Sequence, residues 1–86
     1  MKQAKYILTD ENGIHARPAG VIVQTAKRAQ STVTLTLGDK TADAKKLFSV
    51  MALGGHTGDT LVIEAVGTDE DNAVENLLAE LVRVGL

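Results

Sequence analysis

The residues that could do chemistry cluster in one short run, GIHARPAG, from Gly13 to Gly20. It holds one of the two histidines of the chain, one of its three arginines and its only proline. Gly13 permits a turn, and a helical period starts just after His15, so His15 falls at or next to the helix N-cap. Pro18 fits this placement, because a missing N–H in the first helical turn has no intrahelical partner to lose. The main-chain N–H groups of Ala16 and Arg17 are then free, and a helix N-terminus with free donors is an anion site. Arg17 adds a fixed positive charge with bidentate geometry for a phosphate. A histidine is a poor N-cap beside Ser, Asp or Asn, so local stability has been given up here. At the positive end of a helix dipole, the neutral form of an imidazole is the nucleophilic one. A neutral nucleophile beside a pocket for a trianionic group describes a histidine that takes up a phosphoryl group and passes it on.

The remaining chemical candidates are weaker. No acid or base partner for His15 stands beside it in sequence, which argues against an independent enzyme. His56 lies in the glycine-rich GGHTGD loop and reads as an exposed loop histidine. Two histidines without cysteine or a carboxylate cluster make no metal site. Gly54, Gly55 and Gly58 are not followed by the Lys-Ser/Thr of a phosphate loop. Asp69 to Asp71 read as helix-start acids, and no cofactor is implied. In KKLFSVMALGG, Leu47, Val50 and Met51 recur at helical spacing, whereas Phe48 lies about 100° away from Leu47 and Leu53 on another side again. A short helix cannot bury all of these. Val50 is expected in the core, and Leu47, Phe48, Met51 and Leu53 are candidates for a partner-docking patch.

The elements that must position these residues follow from the period of the apolar side chains. Lys5 to Thr9 reads as a strand that ends at the turn formers Asp10, Asn12 and Gly13. Ala19, Ile22, Val23 and Ala26 form one helical stripe, with Gln24, Lys27 and Arg28 facing away. STVTLTL alternates strictly, Val33, Leu35 and Leu37 inward against Thr32, Thr34 and Thr36 outward. Gly38-Asp39 is a hairpin signal leading to a shorter strand over Lys40 to Ala44. Lys46 to Leu53 reads as a short helix stopped at Gly54, and Thr60 to Val66 as a strand. A last helix opens at Thr68 with the stripe Val74, Leu77, Leu78 and Leu81. The order β-α-β-β-α-β-α predicts an antiparallel sheet with the helices on one face, an α+β two-layer sandwich.

Bulk properties set the outer bounds. The 86 residues make one domain over 1–86 with one core. With a single Tyr and a single Phe, that core must be built from Val, Leu, Ile and Ala. No cysteine is present, which excludes a disulfide framework and fits a reducing cytosol. No apolar run approaches the ~20 residues that span a bilayer. A net charge of −2 supplies no basic field for nucleic acid, and threonines on the open strand face leave nothing to stack bases.

GIHARPAG resembles the phosphorylation-site signature of the HPr family, the histidine-containing phosphocarriers of the bacterial sugar phosphotransferase system. The resemblance extends over the chain through length, element order, KKLFSVMALG and VGTDEDNAVENLLAEL. It implies an open-faced β-sandwich of four antiparallel strands and three helices; a cytoplasmic location and a monomeric state are the expectations for the chain. His15 would carry the phosphoryl group and Arg17 would bind it. Enzyme I would be the donor, and sugar-specific IIA proteins the acceptors. The docking surface would comprise Leu47, Phe48, Met51 and Leu53 with Gly20 and Gln24 of the preceding helix. A regulatory or nitrogen-branch paralogue using the same histidine is the alternative. Many relatives carry a regulatory serine where this chain has Lys46, so control by an HPr kinase is not expected, and Ser49 reads as a polar spacer.

Overall fold

A computed structural model describes residues 1–86. Seven elements follow in order: β1 (Lys2–Ile7), α1 (Ala16–Lys27), β2 (Thr32–Leu37), β3 (Lys40–Asp43), α2 (Leu47–Met51), β4 (Thr60–Val66) and α3 (Glu70–Arg83). The strands form one antiparallel sheet in the order β1-β4-β2-β3. The alternation seen in β2 and β4 decides its two faces. Val33, Leu35, Leu37, Leu61, Ile63 and Ala65 are buried under the helices, while Thr34, Thr36, Val62 and Glu64 lie half-exposed on the open face. The three helices cover the first face, which makes the open-faced α+β sandwich that the element order predicts. Between β2 and β3, Leu37 pairs with Lys40 across a two-residue turn in which Gly38 takes φ +64° and Asp39 a negative φ. That is the glycine-first hairpin pattern.

Ile22, Val23 and Ala26 of α1 meet Val74, Leu77 and Leu81 of α3 in one aliphatic core that also contains Val50. Each fully buried aliphatic side chain stabilises the fold by about 1.5–3 kcal/mol relative to exposure. The end of α1 is tied to the start of α3 through Asp69. Its carboxylate accepts hydrogen bonds from the main-chain N–H groups of Gln30 (2.9 Å) and Ser31 (3.0 Å) and from the Ser31 hydroxyl.

Three elements, β1, α3 and α2, have boundaries that depart from the sequence reading. β1 begins at Lys2, because Lys2, Gln3 and Ala4 pair with Ala65, Glu64 and Ile63 of β4 although they lack an apolar pattern. It is an edge strand, where exposed lysines are ordinary. The last helix starts at Glu70, and Thr68 does not cap it, because Asp69 occupies the cap position. Asp69 is therefore more than a helix-start acid: its carboxylate bonds a different segment and not its own helix. α2 is shorter than read, and this corrects the docking assignment of Leu53. A turn closed by Leu53 N–H to Val50 O and Gly54 N–H to Met51 O swings Leu53 inward, where it is only 4% exposed.

Candidate functional site

The loop before α1 is folded by its own short side chains. Asp10 Oδ1 accepts the Asn12 N–H at 2.8 Å, and Gly13 N–H donates to Asp10 O at 3.0 Å. This is an Asx-type turn that brings Asp10 back towards His15. Two further contacts lock it. The main-chain oxygen of Leu86 accepts the N–H groups of both Thr9 and Asp10, and Ile14 N–H donates to Gly54 O at 2.7 Å. Gly13 has φ +64°, and a Cβ there would lie 2.2 Å from Gly55 O. Only glycine satisfies both constraints.

His15 then occupies the N-cap of α1 in extended conformation, with φ −95° and ψ −175°. The first intrahelical bond runs from Ala19 N–H to His15 O, so the N–H groups of Ala16 and Arg17 donate to no protein acceptor. Pro18 is buried and has no N–H to satisfy. Sequence reasoning placed His15, Ala16, Arg17 and Pro18 in this arrangement, and the structure brings them together.

It missed Asp10. Asp10 Oδ2 lies 3.1 Å from His15 Nε2, and the two side chains are 24% and 41% exposed. The hydrogen bond from Asn12 N–H, followed by that from His15, holds the Asp10 carboxyl below its usual range. An ionised carboxylate only accepts, so Nε2 carries the proton. In a neutral ring Nδ1 is then the free lone pair, and an imidazole oriented by a carboxylate in this way is a positioned nucleophile. Asp10 is thus a partner that is not adjacent to His15 in sequence but reaches it in space. The available signal was the turn chemistry of Asp10-Glu11-Asn12-Gly13, which reverses the chain within five residues.

A shallow cavity of about 220 Å³ fronts this arrangement, lined by Asp10, His15, Arg17, Pro18, Arg83 and Val84. Arg17 is exposed and pairs with no carboxylate. Its guanidinium is available to an anion.

The expected docking residues divide. Phe48 is 82% exposed and Leu47 39% exposed, Gln24 is exposed, and Met51 and Gly20 are half-buried. Leu53 drops out as core. The contact between Ile14 and Gly54 draws the segment after α2 against the His15 loop. Lys46 is the N-cap of α2 without a side-chain capping bond, and Ser49 is exposed. His56 is almost fully exposed beside Asp59, 3.9 Å away, and no group of three or more His, Asp or Glu side chains converges as a metal site.

Comparison with known proteins points the same way. Residues 2–83 match the family model described as the PTS HPr component phosphorylation site. The structure is similar to the histidine-containing phosphocarrier protein of Mycoplasma, with 32% identity and a TM-score of 0.95, covering 99% of this chain and 97% of that one. It is also similar to HPr of Thermoanaerobacter tengcongensis, with 32% identity and a TM-score of 0.88, over 99% and 94% of the two chains. Crh, the catabolite-repression protein of Bacillus subtilis, matches at 36% identity with a TM-score of 0.75, over 100% and 99%. With the site signature, the fold and a near-complete family match in agreement, the chain belongs to the HPr family of phosphocarrier proteins.

Proposed function

We propose that this protein accepts a phosphoryl group on His15 from phosphorylated enzyme I and hands it to sugar-specific IIA proteins. The observation that carries the reading is the Asp10–His15 contact at a helix N-terminus whose first donors are free. The Nδ1 lone pair forms a bond to phosphorus as the bond to the donor's leaving group breaks, its electron pair staying on the donor. The Nε2 proton remains on the ring, where Asp10 offsets the positive charge that develops. The N–H groups of Ala16 and Arg17 and the Arg17 guanidinium receive the phosphoryl oxygens. Onward transfer reverses these steps, with the Nδ1–phosphorus electron pair returning to the ring. The protein is thus a carrier, consumed and regenerated in each cycle, and no cofactor takes part.

The exposed Phe48, with Leu47, Met51, Gly20 and Gln24, forms the surface on which donor and acceptors dock. Lys46 leaves no hydroxyl at the start of α2 for an HPr kinase. We place the protein in the cytoplasm as a monomer. No helix is long and apolar enough to cross a membrane. Crh was solved as a dimer with a swapped domain, so sedimentation should be measured on this chain. A regulatory role is the second reading, favoured by the 36% identity to Crh.

The test is incubation with phosphoenolpyruvate and enzyme I, followed by mass spectrometry. Acid-labile phosphate should appear on the wild type and on His56→Ala and be absent from His15→Ala. Equal loss in both variants would overturn the assignment. Transfer to a IIA protein, rather than retention of the phosphate, separates the carrier from the regulatory reading.

A further inference from the structure

All three arginines of the chain, Arg17, Arg28 and Arg83, line one groove between α1 and α3, together with Gln24 and Glu80. The two helices run antiparallel there, so the C-terminal end of α3 meets the N-terminal end of α1. This brings Arg83, 68 positions from His15 in sequence, to the lining of the His15 cavity beside Arg17 and Pro18.

We propose that Arg83 is a second phosphate-binding residue, which with Arg17 brackets the phosphoryl group on His15. The inference rests on the reading of His15 as the phosphoryl acceptor. Arg83 Nε and Nη2 both donate to Glu80 Oε2 at 2.6 Å. One carboxylate oxygen thus holds the guanidinium by one edge. A guanidinium has five N–H donors, so two are taken and three remain for the phosphoryl oxygens. The Glu80 side chain is 27% exposed and that of Arg83 64%, so the carboxylate is the more fixed partner. Glu80 also lines the groove beside Arg28, where a single carboxylate faces three guanidinium groups. The His15 cavity itself is lined by two of these guanidinium groups, Arg17 and Arg83, against the one Asp10 carboxylate, which already faces the His15 ring.

The geometry distinguishes this role from a simple surface pair between Glu80 and Arg83. If the pair only steadies α3, losing either partner has the same effect. If Arg83 grips the phosphoryl group, losing Glu80 spares transfer, because the guanidinium stays and is freed. The experiment measures phosphoryl uptake from enzyme I, release to a IIA protein, and the denaturant midpoint for wild type, Arg83→Ala and Glu80→Gln. Phosphorus NMR follows the pH titration of the His15-bound phosphoryl group in each. Arg83→Ala should slow transfer about fivefold with an unchanged midpoint, and its phosphoryl group should protonate at higher pH than in wild type. Glu80→Gln should transfer at least as fast as wild type. Equal slowing in both variants, or wild-type rates and titration in Arg83→Ala, would overturn the role of Arg83. A wild type that takes up no phosphate on His15 would instead overturn the reading of the site itself.

Discussion

Asp10 fixes the tautomer of His15: its Oδ2 accepts from Nε2 at 3.1 Å, and its Oδ1 is held by Asn12 N–H at 2.8 Å. The carboxylate is therefore oriented before the ring is, and the ring is oriented before any phosphate arrives.

Replacing Asp10 should change the ring and not merely the loop. Asp10→Ala removes the acceptor, so the proton can occupy either nitrogen. Nitrogen NMR of His15 should show Nε2 protonated in wild type and a mixture of tautomers in the variant. Transfer should slow by about tenfold, less than the ~10²-fold low end for a group that itself transfers the proton. A wild-type tautomer with the carboxylate gone would show that the helix N-terminus alone orients the ring.

Arg17 should matter for transfer and not for folding. It is exposed and makes no ion pair, so Arg17→Ala should leave the unfolding free energy within about 0.5 kcal/mol. Phosphoryl transfer should fall substantially, with KM affected less than the rate. Urea denaturation and transfer assays on one preparation check both halves. A large loss of stability would make Arg17 a structural residue.

Phe48 and Val50 are two positions apart and should behave oppositely. Phe48 is 82% exposed and Val50 fully buried. Phe48→Glu should raise the apparent KM for enzyme I while leaving the denaturant midpoint near wild type. Val50→Ala should cost about 2 kcal/mol of stability with little change in KM. If Phe48→Glu unfolds the domain, the patch is part of the core and not a docking surface.

Stability should fall in acid through Asp69. The hydrogen bond from the Ser31 hydroxyl, then that from Gln30 N–H, lowers its carboxyl from the ordinary value. Near that value the unfolded chain binds more protons than the native one, so acid favours unfolding. The stabilisation is complete above about pH 4 and disappears as pH falls further through the native value. Asp69→Asn should therefore destabilise at pH 7 and differ much less from wild type at pH 3, measured by urea unfolding. A constant difference at both pH values would remove Asp69 from the acid limb.

What the sequence made legible was whatever repeats along the chain. β2 and β4 alternate, and α1 and α3 carry stripes, so the sheet, its buried face and the position of His15 at a helix start could all be read. Contacts set by irregular backbone could not. Asp10 reaches His15 only because an Asx-type turn reverses the chain, and Leu53 turns inward only because α2 stops at Met51. Lys2 to Ala4 form a strand because β4 offers a partner, not because their side chains alternate. Arg83 joins the cavity through the docking of two helices distant in sequence, which no local pattern encodes.

The main-chain oxygen of Leu86 that holds Thr9 and Asp10 links reactivity to the order of folding. The His15 loop is tied to Leu86, far from it in sequence, and the strand before the loop pairs with β4. These are long-range contacts, whose closure entropy must be met before they stabilise anything. A chain in which these contacts have not closed keeps the local Asx-type turn but lacks the Leu86 and Gly54 hydrogen bonds that hold it. On the proposed reading of His15, the oriented phosphoryl acceptor is therefore a property of the closed fold and not of the local segment alone.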